Sequence, residues 1–147
     1  MYDQAAGAYQ QVGIATAEPG RLVIMCYTGA IDNLRNSIDH YSQGELERKA
    51  ETLSKAIDFI GELNRSLDFE KGGEIAVKLH ALYNYMLRRI MEGDLRKNTA
   101  AFTEVINMLQ ELRSAWEEIL SRSQRPTAAM PISGNSQSAF GRKYMEA

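Results

Sequence analysis

The chain has 147 residues, of which 44% are hydrophobic and 24% are charged, and its formal net charge is −2. This length predicts one domain that can bury a hydrophobic core, and the near-neutral charge gives no electrostatic argument for binding nucleic acid or an anionic membrane. No apolar run is long enough to span a bilayer, and the first residues lack the basic and apolar regions of a secretory signal. We therefore expect a cytoplasmic protein without membrane insertion.

The first predicted helix begins near Pro19, because proline fits the first turn of a helix, and it ends at Gly44. Its first half, "LVIMCY", is apolar nearly all round, whereas a surface helix normally shows one apolar stripe. Such a half-helix is either buried on several sides or covered by another segment. Cys26 lies in this run and is expected to act as a small buried hydrophobic residue.

Three further helices each carry an apolar stripe at three- and four-residue steps. They are expected at 45–67, 73–92 and 98–121. Gly93 and Asp94 are expected to end the third helix, and Asn98 or Thr99 to cap the fourth. With short connections and no alternating strand pattern, the sequence predicts an all-α fold, an antiparallel four-helix bundle.

The two ends of the chain differ from the helical region. The predicted bundle domain spans 1–123 and includes a short N-terminal lid segment at 1–15. Residues 124–147 hold two prolines, several serines and little periodicity, which predicts a flexible tail. Phe140, Tyr144 and Met145 are its candidate docking side chains.

Tests for a metal, cofactor or catalytic site fail on the sequence. A carboxylate-bridged metal site in a bundle needs Glu-x-x-His pairs, but Ser37 and Val77 stand three residues before the two histidines. The glycine pair in "EKGGE" has neither the P-loop nor the dinucleotide-binding spacing, and it is better explained as a turn between helices. We therefore expect no cofactor, no metal and no enzyme activity, and structural roles for His40 and His80.

The remaining indication of function is that the first and third helices carry more apolar and aromatic residues than one core stripe needs. Tyr27 lies in the first helix, and Tyr83 and Tyr85 lie in "LYNYM" of the third. Each tyrosine alone is explained by a buried ring with its hydroxyl at the rim. Together they indicate a groove for a partner helix, which is a recurrent mode of recognition. The N-terminal segment "AAGAYQQ", with Tyr9 as its anchor, is placed to cover such a groove.

Three blocks of sequence resemble the FliS family of flagellin export chaperones. They are "AYQQ" from Ala8, "TAEPGRLVIMCYTGAI" from Thr16, and "SLDFEKGGEIAVKLHALYNYMLRRI" from Ser66. The third block is the most specific for the family, and "LQELRSAWEEIL" from Leu109 resembles the family pattern more weakly. The resemblance covers about Ala8 to Leu120.

This resemblance implies a cytoplasmic chaperone that binds the C-terminal segment of flagellin, prevents its premature polymerisation and assists its delivery to the flagellar type III export apparatus. It also implies an antiparallel helical bundle whose N-terminal segment occupies part of the binding surface, here through Ala8, Tyr9 and Gln10. Export-gate components and flagellar regulators are implied as further partners. The alternatives are a helical adaptor, or a ligand- or metal-binding bundle, unrelated to secretion.

The predicted flagellin groove has a lid anchor and two helical walls. It comprises Tyr9, then Leu22, Tyr27, Ile31 and Leu34 of the first helix, and Leu82, Tyr85, Met86 and Arg89 of the third. Core packing is an equal alternative for Leu22, Ile31 and Leu82. The sequence leaves open whether the protein is a monomer or a homodimer.

Overall fold

A computed structural model of the chain describes residues 19–123, and within them it contains four α-helices and no strand. The helices are α1 (Pro19–Ser42), α2 (Leu46–Arg65), α3 (Phe69–Arg96) and α4 (Thr99–Ser123). This confirms the predicted all-α bundle. The expected lid at 1–15, with Ala8, Tyr9 and Gln10, and the expected tail at 124–147 lie outside the described residues.

Contacts at one end of the bundle show the antiparallel arrangement. The Tyr41 hydroxyl, at the end of α1, donates to the carboxylate and the backbone carbonyl of Asp94 near the end of α3. Lys49, in the first turn of α2, places its Nζ 2.8 Å from Asp94 Oδ1 and 5.0 Å from the centre of the Tyr41 ring. The end of α1, the start of α2 and the end of α3 therefore meet at one point.

The interior is formed by the apolar stripes of all four helices. Its largest fully buried side chains are Trp116, Tyr27, Tyr83, Phe102, Ile31, Leu34, Ile60, Leu63, Leu79, Met86 and Ile90. α1 packs most closely against α2 and also closely against α4. In the apolar first half of α1, Val23 and Tyr27 are buried, Leu22, Ile24 and Cys26 are half-buried, and Met25 is 64% exposed. The apolar stripe predicted for α2 contains Leu46, Ala50, Leu53, Ile57, Ile60 and Leu63. It is only partly buried, since Leu46 and Ala50 are exposed.

The glycine pair marks a break in the backbone at the start of α3. The Asp68 carboxylate accepts a hydrogen bond from the Lys71 backbone N–H at 3.0 Å and so caps the first turn. Gly73 then adopts φ 54° and ψ −131°, a conformation that is largely restricted to glycine. The continuous part of α3 begins after this break, as the turn assignment predicted. Neither glycine forms part of a strand–loop–helix phosphate site.

The predicted end of α3 at Gly93 and Asp94 is wrong, because the helix continues to Arg96. Gly93 is buried, and a Cβ there would lie 2.8 Å from the Ala101 Cβ and 2.9 Å from the Asn98 carbonyl oxygen. This glycine therefore permits the close approach of the α3–α4 turn. The Asn98 side chain accepts a hydrogen bond from the Ala100 N–H at 3.1 Å, in keeping with the cap predicted for α4.

Candidate functional site

Four of the predicted groove residues lie in the core. The side chains of Tyr27, Ile31 and Leu34 on α1 and of Met86 on α3 are each 0% exposed. The expectation that they line a surface groove is therefore wrong for these four residues, because their side chains pack in the interior of the bundle.

Tyr27 shows the correction most directly. Its hydroxyl oxygen lies 2.5 Å from that of Tyr83, and the two ring centroids are 6.5 Å apart. Both rings are fully buried, so the hydroxyls meet inside the bundle rather than at its rim. A buried hydroxyl needs a hydrogen-bond partner, and each of these provides one for the other.

The remaining predicted residues do not form one groove between α1 and α3. Leu22 is half-buried and shares a face of α1 with Cys26 and Gly29, four and seven residues further on. This face is directed at α2, because Gly29 packs so closely on the ring of Phe59 that an added Cβ would lie 2.5 Å from it. Leu82, Tyr85 and Arg89, in contrast, lie on the edge of α3 directed at α4.

The edge of α3 and the facing edge of α4 are joined by a polar contact. The Tyr85 hydroxyl donates to the Glu104 carboxylate, and Arg89 Nε donates to Glu104 Oε1 at 2.9 Å. Arg89 also lies 3.4 Å from Glu92 on its own helix. Glu104 therefore holds two side chains of α3 across the interface between the helices.

Apolar surface continues from this contact along the same interface. Because α3 and α4 are antiparallel, the register that brings Tyr85 to Glu104 places Leu82 level with Met108, one turn further along α4. Both side chains are half-buried and pack against the core. We call Leu82, Tyr85, Arg89, Glu104 and Met108 the α3–α4 groove. Within residues 19–123, it is the one place where several of the predicted contact residues that keep exposed surface lie together.

The hydrogen bonds in the α3–α4 groove set its charge state. The bond from Tyr85 lowers the pKa of Glu104; partial burial opposes this, and the bond from Arg89 adds to the lowering. The same bond to Glu104 raises the pKa of Tyr85, since loss of its proton would place two negative charges side by side. At neutral pH the contact therefore joins an ionised carboxylate, a neutral phenol and a guanidinium cation.

Glu104 and Met108 were missed by the sequence analysis. They begin a second periodic set on the fourth helix, Glu104, Met108, Glu111 and Ala115, which runs beside the core stripe. A search of the sequence for a second periodic set next to the core stripe would have found these positions, of which Glu104, Met108 and Ala115 are half-buried and Glu111 is exposed. The identity of its partner on α3 depends on the register of the bundle, which the sequence does not specify.

Within residues 19–123, no group of three or more histidine, cysteine or acidic side chains is arranged to hold a metal ion. His80 is exposed, and its Nδ1 lies 2.7 Å from Asn64 Oδ1, which agrees with the structural role predicted for it. His40 Nδ1 lies 2.8 Å from Glu45 Oε1 across the turn between α1 and α2. In this described part of the chain, none of the four helices is long and apolar enough to cross a membrane.

Comparison with known proteins identifies the family. A family model described as flagellar protein FliS matches residues 1–123. The flagellar secretion chaperone FliS of Salmonella typhimurium is 40% identical over 117 residues, which cover 76% of this chain and 87% of that protein. The proteins of the same name from Bacillus subtilis and Vibrio cholerae are 32% and 33% identical, covering 80% and 83% of this chain and 87% and 93% of theirs.

The family match ends where α4 ends, so residues 124–147 are an addition beyond it. The matched region includes the N-terminal segment and the whole described bundle. Proteins of this family are chaperones rather than enzymes, as the failed search for catalytic motifs predicted. The extent of the match and the identity to several curated relatives lead to one conclusion: the chain belongs to the FliS family of flagellar secretion chaperones.

Proposed function

We propose that this protein is a cytoplasmic chaperone that binds the C-terminal segment of flagellin, prevents its premature polymerisation and assists its delivery to the flagellar type III export apparatus. Membership of the FliS family carries this proposal, since the relatives are named flagellar secretion chaperones. The family favours this role over an adaptor or a ligand-binding bundle unrelated to secretion. Export-gate components and flagellar regulators are proposed as further partners on the same ground.

The physical demand on such a chaperone is a long contact surface. A flagellin segment that folds on binding loses about 2–5 kcal/mol of the gross interaction energy to ordering. A small pocket cannot offset this cost, whereas a strip along two helices can. The α3–α4 groove supports the proposal because it combines half-buried apolar side chains with a polar edge over about two turns of α3, and it supplies one part of such a strip.

The polar residues of the α3–α4 groove favour recognition without a large desolvation cost. The charges of Arg89 and Glu104 are already paired, so a partner that covers them does not bury an isolated charge. The Tyr85 ring is held by its hydroxyl, which fixes the orientation of its exposed surface before a partner arrives. A preorganised aromatic ring of this kind is a typical anchor of a protein interface.

Leu22 is a second proposed contact, at the start of α1 on the edge directed at α2. A flagellin segment that reaches both Leu22 and the α3–α4 groove must wrap around the bundle.

We propose that residues 1–15, with Tyr9 as anchor and Ala8 and Gln10 beside it, cover part of this surface when flagellin is absent. Deletion of residues 1–15 should then strengthen binding of a flagellin peptide, as measured by calorimetric titration; equal or weaker binding would contradict a covering role.

The central experiment is calorimetric titration of the full chain with a peptide of the flagellin C-terminal segment. We expect Tyr85→Ala to weaken binding about tenfold or more, which corresponds to about 1.4 kcal/mol or more. Tyr85→Phe should retain most of the affinity, because it keeps the ring and loses only the bond to Glu104. Helix content by circular dichroism should be unchanged in both variants.

Phe69→Ala is the matched control, because Phe69 is an exposed aromatic residue that packs edge-on against His80 rather than beside α4. Its affinity should equal that of the wild type. Wild-type affinity in Tyr85→Ala would remove the α3–α4 groove from the proposal. Absence of binding by the wild-type chain would instead refute the flagellin function itself.

A further inference from the structure

The start of α3 carries exposed apolar surface that the proposed function does not use. Phe69 and Val77 are 48% and 55% exposed. The Phe69 ring lies edge-on to the His80 ring, with 5.5 Å between the ring centroids, and His80 follows Val77 by about one turn of the helix. Ala81, next to His80, is also exposed. We call Phe69, Val77, His80 and Ala81 the Phe69 patch.

A ring of polar contacts holds one side of the Phe69 patch in place. His80 Nδ1 lies 2.7 Å from Asn64 Oδ1, Asn64 Nδ2 donates to Asn84 Oδ1 at 2.9 Å, and Asn84 Nδ2 lies 3.2 Å from His80 Nε2. All three contacts are hydrogen bonds when the imidazole carries its proton on Nδ1, because each side chain then donates once and accepts once. The ring joins α2 to α3 and fixes the imidazole against which Phe69 packs, so the patch is a preformed surface.

The sequence beyond α4 contains a segment whose chemistry fits this surface. Phe140, Tyr144 and Met145 are three large apolar side chains within six residues, and Arg142 and Lys143 lie between them. The sixteen preceding residues, 124–139, are mostly small or polar. We call residues 124–147 the C-terminal tail. It lies beyond the family match, so the role shared by the family does not account for its aromatic residues.

The end of α4 places the start of the C-terminal tail close to the Phe69 patch. The antiparallel register that brings Tyr85 to Glu104 puts Ser123 level with residue 66 of the chain, at the same end of the bundle as Phe69. Packed helices lie about 8–10 Å apart, and the patch extends about 22 Å along α3 from this level, so the distance to be spanned is about 10–25 Å. A linker of sixteen small and polar residues has a root-mean-square length of about 20–24 Å. A tether acts most effectively when this length matches the span.

The charges of the two surfaces are opposite in sign. The C-terminal tail has three basic side chains and one acidic side chain, whereas the rest of the chain has fourteen basic and eighteen acidic ones. At the start of α3, beside the Phe69 patch, the exposed Glu70 and Glu74 outnumber Lys71. Arg142 and Lys143 of the tail therefore meet a favourable charge there.

The other exposed apolar residues on α1 and α3 are less suited to the tail. Met25 is 64% exposed on α1, but Arg21 lies one turn before it and would repel a basic segment. Met91 and Leu95 lie towards the opposite end of α3, about 37 Å and 43 Å along the axis from the level of Ser123. This distance exceeds the root-mean-square length of the linker, so the Phe69 patch is favoured.

We propose that the C-terminal tail docks on the Phe69 patch of its own chain, with Phe140 and Tyr144 as apolar anchors and its basic pair directed at the acidic start of α3. Because the tail is tethered beside the patch, a contact that is weak between separate molecules is enough to hold it. Docking covers apolar surface that the bundle leaves exposed. This inference does not rest on flagellin binding, and either can fail without the other.

Disulfide formation within the full chain tests the docking. In a Cys26→Ala background, Gly141→Cys in the tail is combined with Ala81→Cys in the patch. The matched control combines Gly141→Cys with Ser114→Cys, because Ser114 is exposed on α4, level with residue 75, and lies nearer to the start of the tail along the axis. Under mild oxidation of dilute protein, the Ala81 pair should close at least tenfold faster than the control, whereas an undocked tail would reach Ser114 at least as fast.

Further substitutions separate the anchors from the tether. Phe140→Ala should slow the closure of the Ala81 pair at least fivefold, whereas Ile132→Ala, in the linker, should leave its rate unchanged. On the bundle, Phe69→Ala should slow the closure to a similar extent, and Met25→Ala should not. Helix content by circular dichroism should be the same in all of these variants.

Three results would overturn the proposal. The first is equal rates of closure for the Ala81 and Ser114 pairs, and the second is a Phe140→Ala chain that closes as fast as its parent. The third is a cross-linked product with the mass of two chains in place of the internal disulfide, which would mean that the tail docks on a second copy. Equal rates of closure together with weaker flagellin-peptide binding by Phe69→Ala would assign the Phe69 patch to flagellin instead.

Discussion

Replacing Gly93 with alanine should destabilise the bundle, although alanine is the better helix former. The new Cβ would lie 2.8 Å from the Ala101 Cβ and 2.9 Å from the Asn98 carbonyl oxygen, whereas ordinary contact begins at 3.4 Å. The turn between α3 and α4 must therefore open by about half an ångström or more. The Asn98 N–H donates to the Gly93 carbonyl at 2.8 Å, so this opening strains the bond that closes the turn.

The magnitude follows from two opposing effects. Overpacking of this kind lowers the free energy of unfolding by up to about 3 kcal/mol, and the higher helix propensity of alanine raises it by about 1 kcal/mol. The net loss of about 2 kcal/mol in the free energy of unfolding should lower Tm by about 8 °C for a domain of this size. Urea unfolding followed by circular dichroism measures the first quantity, and thermal unfolding measures the second.

Gly61→Ala is the control, since it makes the same change inside α2. Its new Cβ would meet only the Arg65 guanidinium, at 3.0 Å, and this flexible side chain can move away. The variant should be as stable as the wild type or more stable by up to about 1 kcal/mol. A Gly93→Ala protein that also unfolds at or above the wild-type midpoint would refute the close packing of the α3–α4 turn.

Two further changes test the groove and the core. The lowered pKa of Glu104 means that its contribution to stability is present above the pKa of an unfolded glutamate and is lost as the pH falls through the lower folded value. Glu104→Gln should therefore cost about 0.5–1 kcal/mol at pH 7, a value limited by solvent screening, and flatten the acid side of the stability profile below about pH 4. An unchanged acid profile in urea unfolding would contradict the contact with Tyr85 and Arg89. Leu109→Ala should cost about 2–5 kcal/mol in the same assay, because Leu109 is fully buried, and a loss below 1 kcal/mol would place it outside the core.

The helices were predictable because periodicity and end signals agree along most of the chain. Pro19 begins α1, the apolar stripes repeat at helical steps, and Gly73 takes a conformation that favours glycine. Gly93 misled the prediction, since glycine marks both helix ends and places where two backbones approach closely. The two uses cannot be separated before the neighbouring helix is known.

The site was less predictable because an apolar surplus does not show where it is used. Tyr27 and Tyr85 have similar sequence surroundings, yet the first is buried against Tyr83 and the second lies at the α3–α4 groove. The difference comes from the helix face that each occupies: Tyr27 lies on the face of α1 directed at the interior, whereas Tyr85 lies on the edge of α3 directed at α4. Glu104, the partner of Tyr85, lies nineteen residues further along the chain and is brought close only by the antiparallel register.

The pair of hydroxyls shared by Tyr27 and Tyr83 fixes how α1 and α3 are aligned along the bundle. Apolar side chains alone tolerate sliding, because one methyl group packs nearly as well as the next. A shift of one helical turn would separate the two oxygens by about 5.4 Å and break their hydrogen bond. Both hydroxyls would then lose this partner in the buried interior, where no water replaces it. Together with the contact of Tyr41 and Asp94 near the other end of the two helices, this buried pair selects one alignment from several that apolar packing alone would allow, and that alignment sets the position of every surface residue of α3 along the bundle.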